Sequence, residues 1–143
     1  MNDVVHQFFD RYRQLFQDGI DGTVDTDALS RCYAREFIAA GPQGVLGGKN
    51  DAQFVGALRA GYARYRAIGT RRMAVRAIRV DAIDALHCLA HVDWRATYAR
   101  PGRDDVDIDF QVHYLMQFAD GEPAIFGWIA GDEQEVLRRH GIA

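Results

Sequence analysis

Lysine is almost absent from this chain: Lys49 is the only one, and the rest of the 17 basic residues are arginines. Cysteine occurs twice, as Cys32 and Cys88. Both stand in apolar contexts and form no Cys-x-x-Cys pair, which argues against a disulfide framework and for two buried free thiols in a reducing compartment. No apolar run reaches the ~18 residues that suggest a membrane-spanning helix. The opening stretch, MNDVVHQFFDRYRQ, carries acids early and lacks the apolar core of a secretion signal. A cytoplasmic protein without membrane contact is therefore expected. Neither sign of charge dominates, with 17 basic and 20 acidic residues and a net charge of −3. That balance gives no global pull toward nucleic acid. Internal repeats, low-complexity tracts and linkers are also missing, so residues 1–143 are expected to form one domain, as domains peak near ~100–150 residues.

What is present divides by period. Val5, Phe8, Tyr12, Leu15 and Phe16 recur at helical spacing, so residues 3–18 predict an amphipathic helix ended by Gly19. A short helix is expected at 27–33 and a short strand at 37–40. Asn50 followed by Gln53 resembles a capping box and opens a third helix to Arg66, with Phe54, Leu58, Tyr62 and Tyr65 as its buried stripe. The second half alternates instead. Residues 72–83 predict a strand with a bulge. In 86–99, Cys88, Ala90, Val92, Trp94, Ala96 and Tyr98 share one face. In 106–118, Val106, Ile108, Phe110, Val112, Tyr114, Met116 and Phe118 do the same. Pro101-Gly102 marks the hairpin between them. Pairing Tyr98 with Val106 sets Trp94 against Phe110, Arg95 against Asp109 and His91 against His113, and the matched charges support that register. Asp120-Gly121 predicts a further hairpin into AIFGWIA (124–130), a run apolar on both faces. Such a strand needs cover twice; a second copy of the chain supplies it most simply, so a homodimer through the outer sheet face is expected. Acids at 132–135 and Arg138, Arg139 and His140 frame a last helix. Helices first and a long meander after predict an α+β domain: a cone-shaped, curved antiparallel sheet packed against N-terminal helices.

Four glycines fall at 41, 44, 47 and 48, inside FIAAGPQGVLGGKN. A phosphate-cradling GxxxxGK[ST] loop is excluded, since Gln43 stands at its first glycine and Asn50 at its Ser/Thr. The stretch is expected to turn a corner at a pocket rim.

The segments RYRQLFQDGIDG (11–22), ALSRCYAREFIAAGPQG (28–44) and VHYLMQFADGEPAIFGW (112–128), in this order of elements, resemble the NTF2-like (cystatin-like) superfamily, which includes the ketosteroid isomerases and SnoaL-type cyclases. The resemblance implies a cone with one deep pocket between sheet and helices, and a dimer. Ketosteroid isomerases use a first-helix tyrosine, matched here by Tyr12, and a late-strand aspartic acid, whose position looks like Tyr114. Their general-base aspartate at the first strand's end, before a proline, is matched by Gly41. Neither Ala40 nor Gly41 can take a proton.

Tyr12 and Tyr114 are therefore candidate hydroxyl donors for a carbonyl or enolate oxygen, the alternative being plain core tyrosines. Trp94, Phe110, Phe126 and Trp128 are candidate pocket lining; an aromatic stripe on a sheet equally suits plain core. Glu36, Arg35 and Asp10 are candidate titratable groups near the rim. His87, His91, Asp93, His113 and Gln111 share the outer face, where a polar dimer face or solvated surface is expected rather than a metal site. Seven arginines lie between Asp51 and Asp81 with no acid among them; partnering by the acidic cluster at 104–109 is expected, not nucleic acid. The expectation is thus a protein binding a small apolar molecule in a pocket of Tyr12, Trp94, Phe110, Tyr114 and Trp128, with no metal or cofactor. Its alternatives are a SnoaL-like isomerase, cyclase or dehydratase, and an interaction module whose pocket is filled.

Overall fold

The computed structural model describes residues 1–142. Its elements run α1 (Asn2–Ile20), α2 (Thr26–Arg31), β1 (Tyr33–Gly41), β2 (Gly44–Lys49), α3 (Ala52–Ala67), β3 (Thr70–Ala82), β4 (His87–Arg100), β5 (Arg103–Ala119), β6 (Glu122–Ala130) and α4 (Glu133–Arg139). Alternation of apolar and polar residues, broken at Leu89 and at the Ala99-Arg100 end, buries every second side chain of β4 from Cys88 to Tyr98. β4 and β5 pair antiparallel in the expected register, with Tyr98 opposite Val106, Trp94 opposite Phe110, Arg95 opposite Asp109 and His91 opposite His113. The six strands form one sheet in the order β2-β1-β6-β5-β4-β3. All neighbours are antiparallel except β1 and β6, which run parallel.

The helices pack on one face of this sheet. Val5, Phe8, Phe9 and Tyr12 of α1 are buried there. Gly19 does not end α1, which continues to Ile20. A side chain at Gly19 would bring its Cβ to 2.6 Å from Cδ1 of Tyr62, so this glycine lets α1 and α3 approach closely. α3 is capped by Asp51, whose side chain accepts from Phe54 N–H at 3.0 Å. Asn50, the expected cap, is still held by the sheet: its N–H donates to Arg35 O. Its side-chain amide donates to Ser30 O and Tyr33 O, tying the α2–β1 junction together.

The glycine-rich stretch does more than turn a corner. It makes a tight turn at Pro42-Gln43 and returns as β2 along β1. Gly44 has φ of 128°, which suits glycine. Gly48 leaves the space its Cβ would need to the Phe37 ring. β3 carries the expected bulge after Val75 and a second one after Thr70, ahead of the expected span. A further bulge in the β5–β6 ladder falls between Leu115 and Met116. It skips Phe126, so that Ile125 pairs with Met116 and Trp128 with Tyr114. Phe126 is thereby turned outward, beside the His87 ring, and does not line the pocket. None of the described helices is long and apolar enough to cross a membrane.

Candidate functional site

Between the helices and the concave sheet face lies a cavity of about 280 Å³. That is roughly twice the ~150 Å³ apolar cavity that holds a benzene molecule. The sheet supplies Met73, Trp94, Tyr98, Phe110, Val112, Tyr114, Trp128 and Ala130. α1 supplies Tyr12 and Phe16, β1 supplies Tyr33, and α3 supplies Leu58, Tyr62 and Tyr65 among others. All five expected residues, Tyr12, Trp94, Phe110, Tyr114 and Trp128, therefore meet at this one cavity.

Its polar groups are mostly phenols, and their bonding decides what they offer. The Tyr12 and Tyr33 hydroxyls are 2.8 Å apart, and one donates to the other. The Trp94 indole N–H donates to the Tyr114 hydroxyl oxygen at 3.2 Å. Indole N–H is only a donor, so the Tyr114 proton must point elsewhere. Burial pushes Tyr12, Tyr33 and Tyr114 above the ordinary phenol range, so all three keep their protons at neutral pH. The cluster thus has two hydroxyl protons without a partner inside it, one from Tyr114 and one from the Tyr12–Tyr33 pair. Tyr12, Trp94 and Tyr114 are nearly fully buried, so these donors lie at the closed end.

Two of the lining residues that the sequence reading left out of the pocket are Tyr33 and Glu133. Tyr33 reads as the end of a helix, but α2 stops at Arg31 and Tyr33 opens β1, where its ring meets Trp128 and Phe54. Glu133 reads as one of the acids that open the last helix. It also lines the cavity, and among the described lining residues it is the only charged one. Glu133 and Ala57 are the exposed members of the lining, which puts the mouth between α3 and the start of α4. Although Glu133 reaches solvent, burial pushes its carboxyl above the usual range, while Arg64 and the Tyr65 hydroxyl pull it back.

The expected rim groups lie elsewhere. Glu36 faces a separate open groove with Phe37, Leu46 and Phe54, and neither Arg35 nor Asp10 lines the cavity. Gly41 closes β1 beside Ala130 and lines a shallow groove outside the cavity. No carboxylate could reach the cavity from that strand end without a different residue there.

On the outer face, Nδ1 of His91 and Nδ1 of His113 are 2.6 Å apart, and His91 Nε2 lies 2.9 Å from Asp81 Oδ2. Gln111 donates to Asp93. Among the described residues, no group of three or more His, Cys, Asp or Glu is placed to hold a metal ion. The arginine run is partly engaged by acids: Arg76 with Asp109, Arg79 with Asp81, and Arg71 with Asp105 at 3.8 Å.

Solved structures resemble this fold at low identity. An NTF2-like protein with a cystatin-like fold from Novosphingobium aromaticivorans superposes with a TM-score of 0.69 at 13% identity, over 96% of this chain and 86% of that one. A ketosteroid isomerase-like protein from Erwinia carotovora atroseptica gives 0.63 at 15%, over 90% and 93%. The beta subunit of benzoate 1,2-dioxygenase from Burkholderia mallei gives 0.66 at 15%, over 93% and 91%. These identities establish a shared fold and nothing finer. Among curated proteins, none matches the sequence. The family model described as NTF2-like protein (DUF6841) matches residues 2–133. With nearly the whole chain covered and a curved sheet closed by helices over one cavity, the protein belongs to this NTF2-like family.

Proposed function

We propose that this protein binds a small, largely apolar molecule carrying one hydrogen-bond-accepting oxygen. The observation that carries the proposal is the donor surplus at the closed end of an otherwise apolar cavity. A ring-sized ligand would bury its body against Trp94, Phe110 and Trp128. Its carbonyl or ether oxygen would accept from Tyr114 or from the Tyr12–Tyr33 pair. A carbonyl polarised this way is also the ground state of an enolisation. The absence of a strand-end carboxylate favours binding over that chemistry. We also propose that the chain works as a homodimer through the outer sheet face.

Both tryptophans of the chain line the cavity, so intrinsic fluorescence is a direct test. Titration with acetophenone is expected to change tryptophan emission saturably. Tyr114→Phe is expected to weaken acetophenone binding by about tenfold, in line with ~1 kcal/mol or more for a buried hydrogen bond. The same variant should leave ethylbenzene, which has no oxygen, within about twofold of the parent. Equal losses for both compounds would overturn the role of the hydroxyl. No response to either would overturn the cavity as a ligand site.

A further inference from the structure

The cavity walls are unusual in one respect. Ten of the seventeen described lining residues are aromatic, and the single charge among them is negative. Phe16 meets Tyr62, Tyr65 and Trp94 with ring centroids 5.1, 5.2 and 6.2 Å apart, so these rings form one continuous wall. Aromatic faces carry negative quadrupole charge and attract cations; they repel anions. Glu133 stands at the mouth of that wall, next to Tyr65. No described ion pair includes Glu133; Arg64 acts on it as an opposite charge but is not part of the lining.

We infer that the ligand is an organic cation: a ring-sized molecule with a protonated amine held at the mouth between the Glu133 carboxylate and the Tyr65 face. This rests on the cavity being a ligand site, as proposed above, and adds the charge class of its occupant. The two polar ends of the cavity then differ in kind. Hydroxyl protons at the closed end take an acceptor, and the carboxylate at the mouth takes a donor with positive charge. An anionic ligand could use the closed-end hydroxyls but would meet the carboxylate and the aromatic walls with the wrong sign.

Three probes of one size and different charge test this: 2-phenylethylamine, 2-phenylethanol and phenylacetate, titrated at neutral pH with tryptophan emission as readout. The amine is expected to bind about tenfold tighter than the alcohol, combining a partly exposed ion pair with a cation–π contact. Phenylacetate is expected to bind most weakly. Glu133→Gln keeps the size and shape of the side chain and should remove most of the amine's advantage while leaving the alcohol within about twofold. Equal affinity for amine and alcohol in the parent protein would overturn the inference but leave the cavity intact. So would an amine preference that survives Glu133→Gln. Failure of all three probes, the neutral alcohol included, would overturn the cavity reading itself and this inference with it.

Discussion

At the scale of single residues, polarity is apportioned by what each side chain can still donate. Trp94 has only a donor, and its use on Tyr114 sets that phenol's direction. In the Tyr12–Tyr33 pair one hydroxyl spends its proton on the other, which leaves the pair one proton to offer. On the opposite face His113 sits against His91 and half-buried, and its imidazole is pushed below the ordinary value of 6.5, chiefly by burial and then by the neighbouring His91 and Arg79. A histidine whose folded pKa is depressed favours the fold in its neutral form. That contribution is fully present above the unfolded value near 6.5 and is lost as pH falls through the folded value. His113→Gln is therefore expected to flatten the loss of thermal stability between pH 7 and pH 5, measured as Tm against pH. A slope as steep as the parent's would show that His113 does not carry it.

At the scale of elements, the helices attach to the sheet through few polar contacts, and Gln17 of α1 makes two of them. Its amide donates to Arg71 O at 2.9 Å and accepts from Met73 N–H at 3.1 Å, completing backbone groups of the edge strand β3 as another strand would. Gln17→Ala is expected to cost about 1–2 kcal/mol in urea unfolding. Gln17→Glu would keep only the acceptor and should fall short of the parent too. A loss below ~0.3 kcal/mol for Gln17→Ala would mean that water replaces the side chain fully.

Elements also differ in how plainly the sequence announces them. β4 and β5 were legible because one face is polar and the other apolar, so a slip by one residue would expose the core. That alternation placed Trp94, Phe110 and Tyr114 in the cavity. β2 was not legible, since GVLGGK carries glycines where a strand normally shows branched side chains. Nor was the inward turn of Trp128 without Phe126, because it depends on a bulge that leaves no local signal in an all-apolar run. Glu133 was hidden by double duty, as helix-opening acids are common for reasons unrelated to ligands.

At the scale of the whole molecule, the outer sheet face is the surface in question. Ile38, Val45 and Ile129 lie on it in neighbouring strands and are 43%, 68% and 48% exposed. Gly127 and Leu115 extend the apolar strip toward His113 and His91. Sedimentation equilibrium at micromolar concentration is expected to give twice the chain mass for the parent protein and the single mass for Ile129→Arg. A parent protein that sediments as a monomer would sink the dimer proposal, leaving three exposed apolar side chains that a solvated sheet face tolerates.

The parallel pairing of β1 with β6 joins the first third of the chain to its last strand. During synthesis, the hairpin of β1 and β2 can form early but has no sheet to join until residues 122–130 have left the ribosome. Contacts so distant in sequence make folding slow relative to a helical domain. Until then Phe37 and Tyr33 lack the Trp128 ring they close upon, and the binding cavity has an open side. A nascent chain released before β6 would therefore hold the β3–β5 meander and a separate β1–β2 hairpin, with no enclosed site.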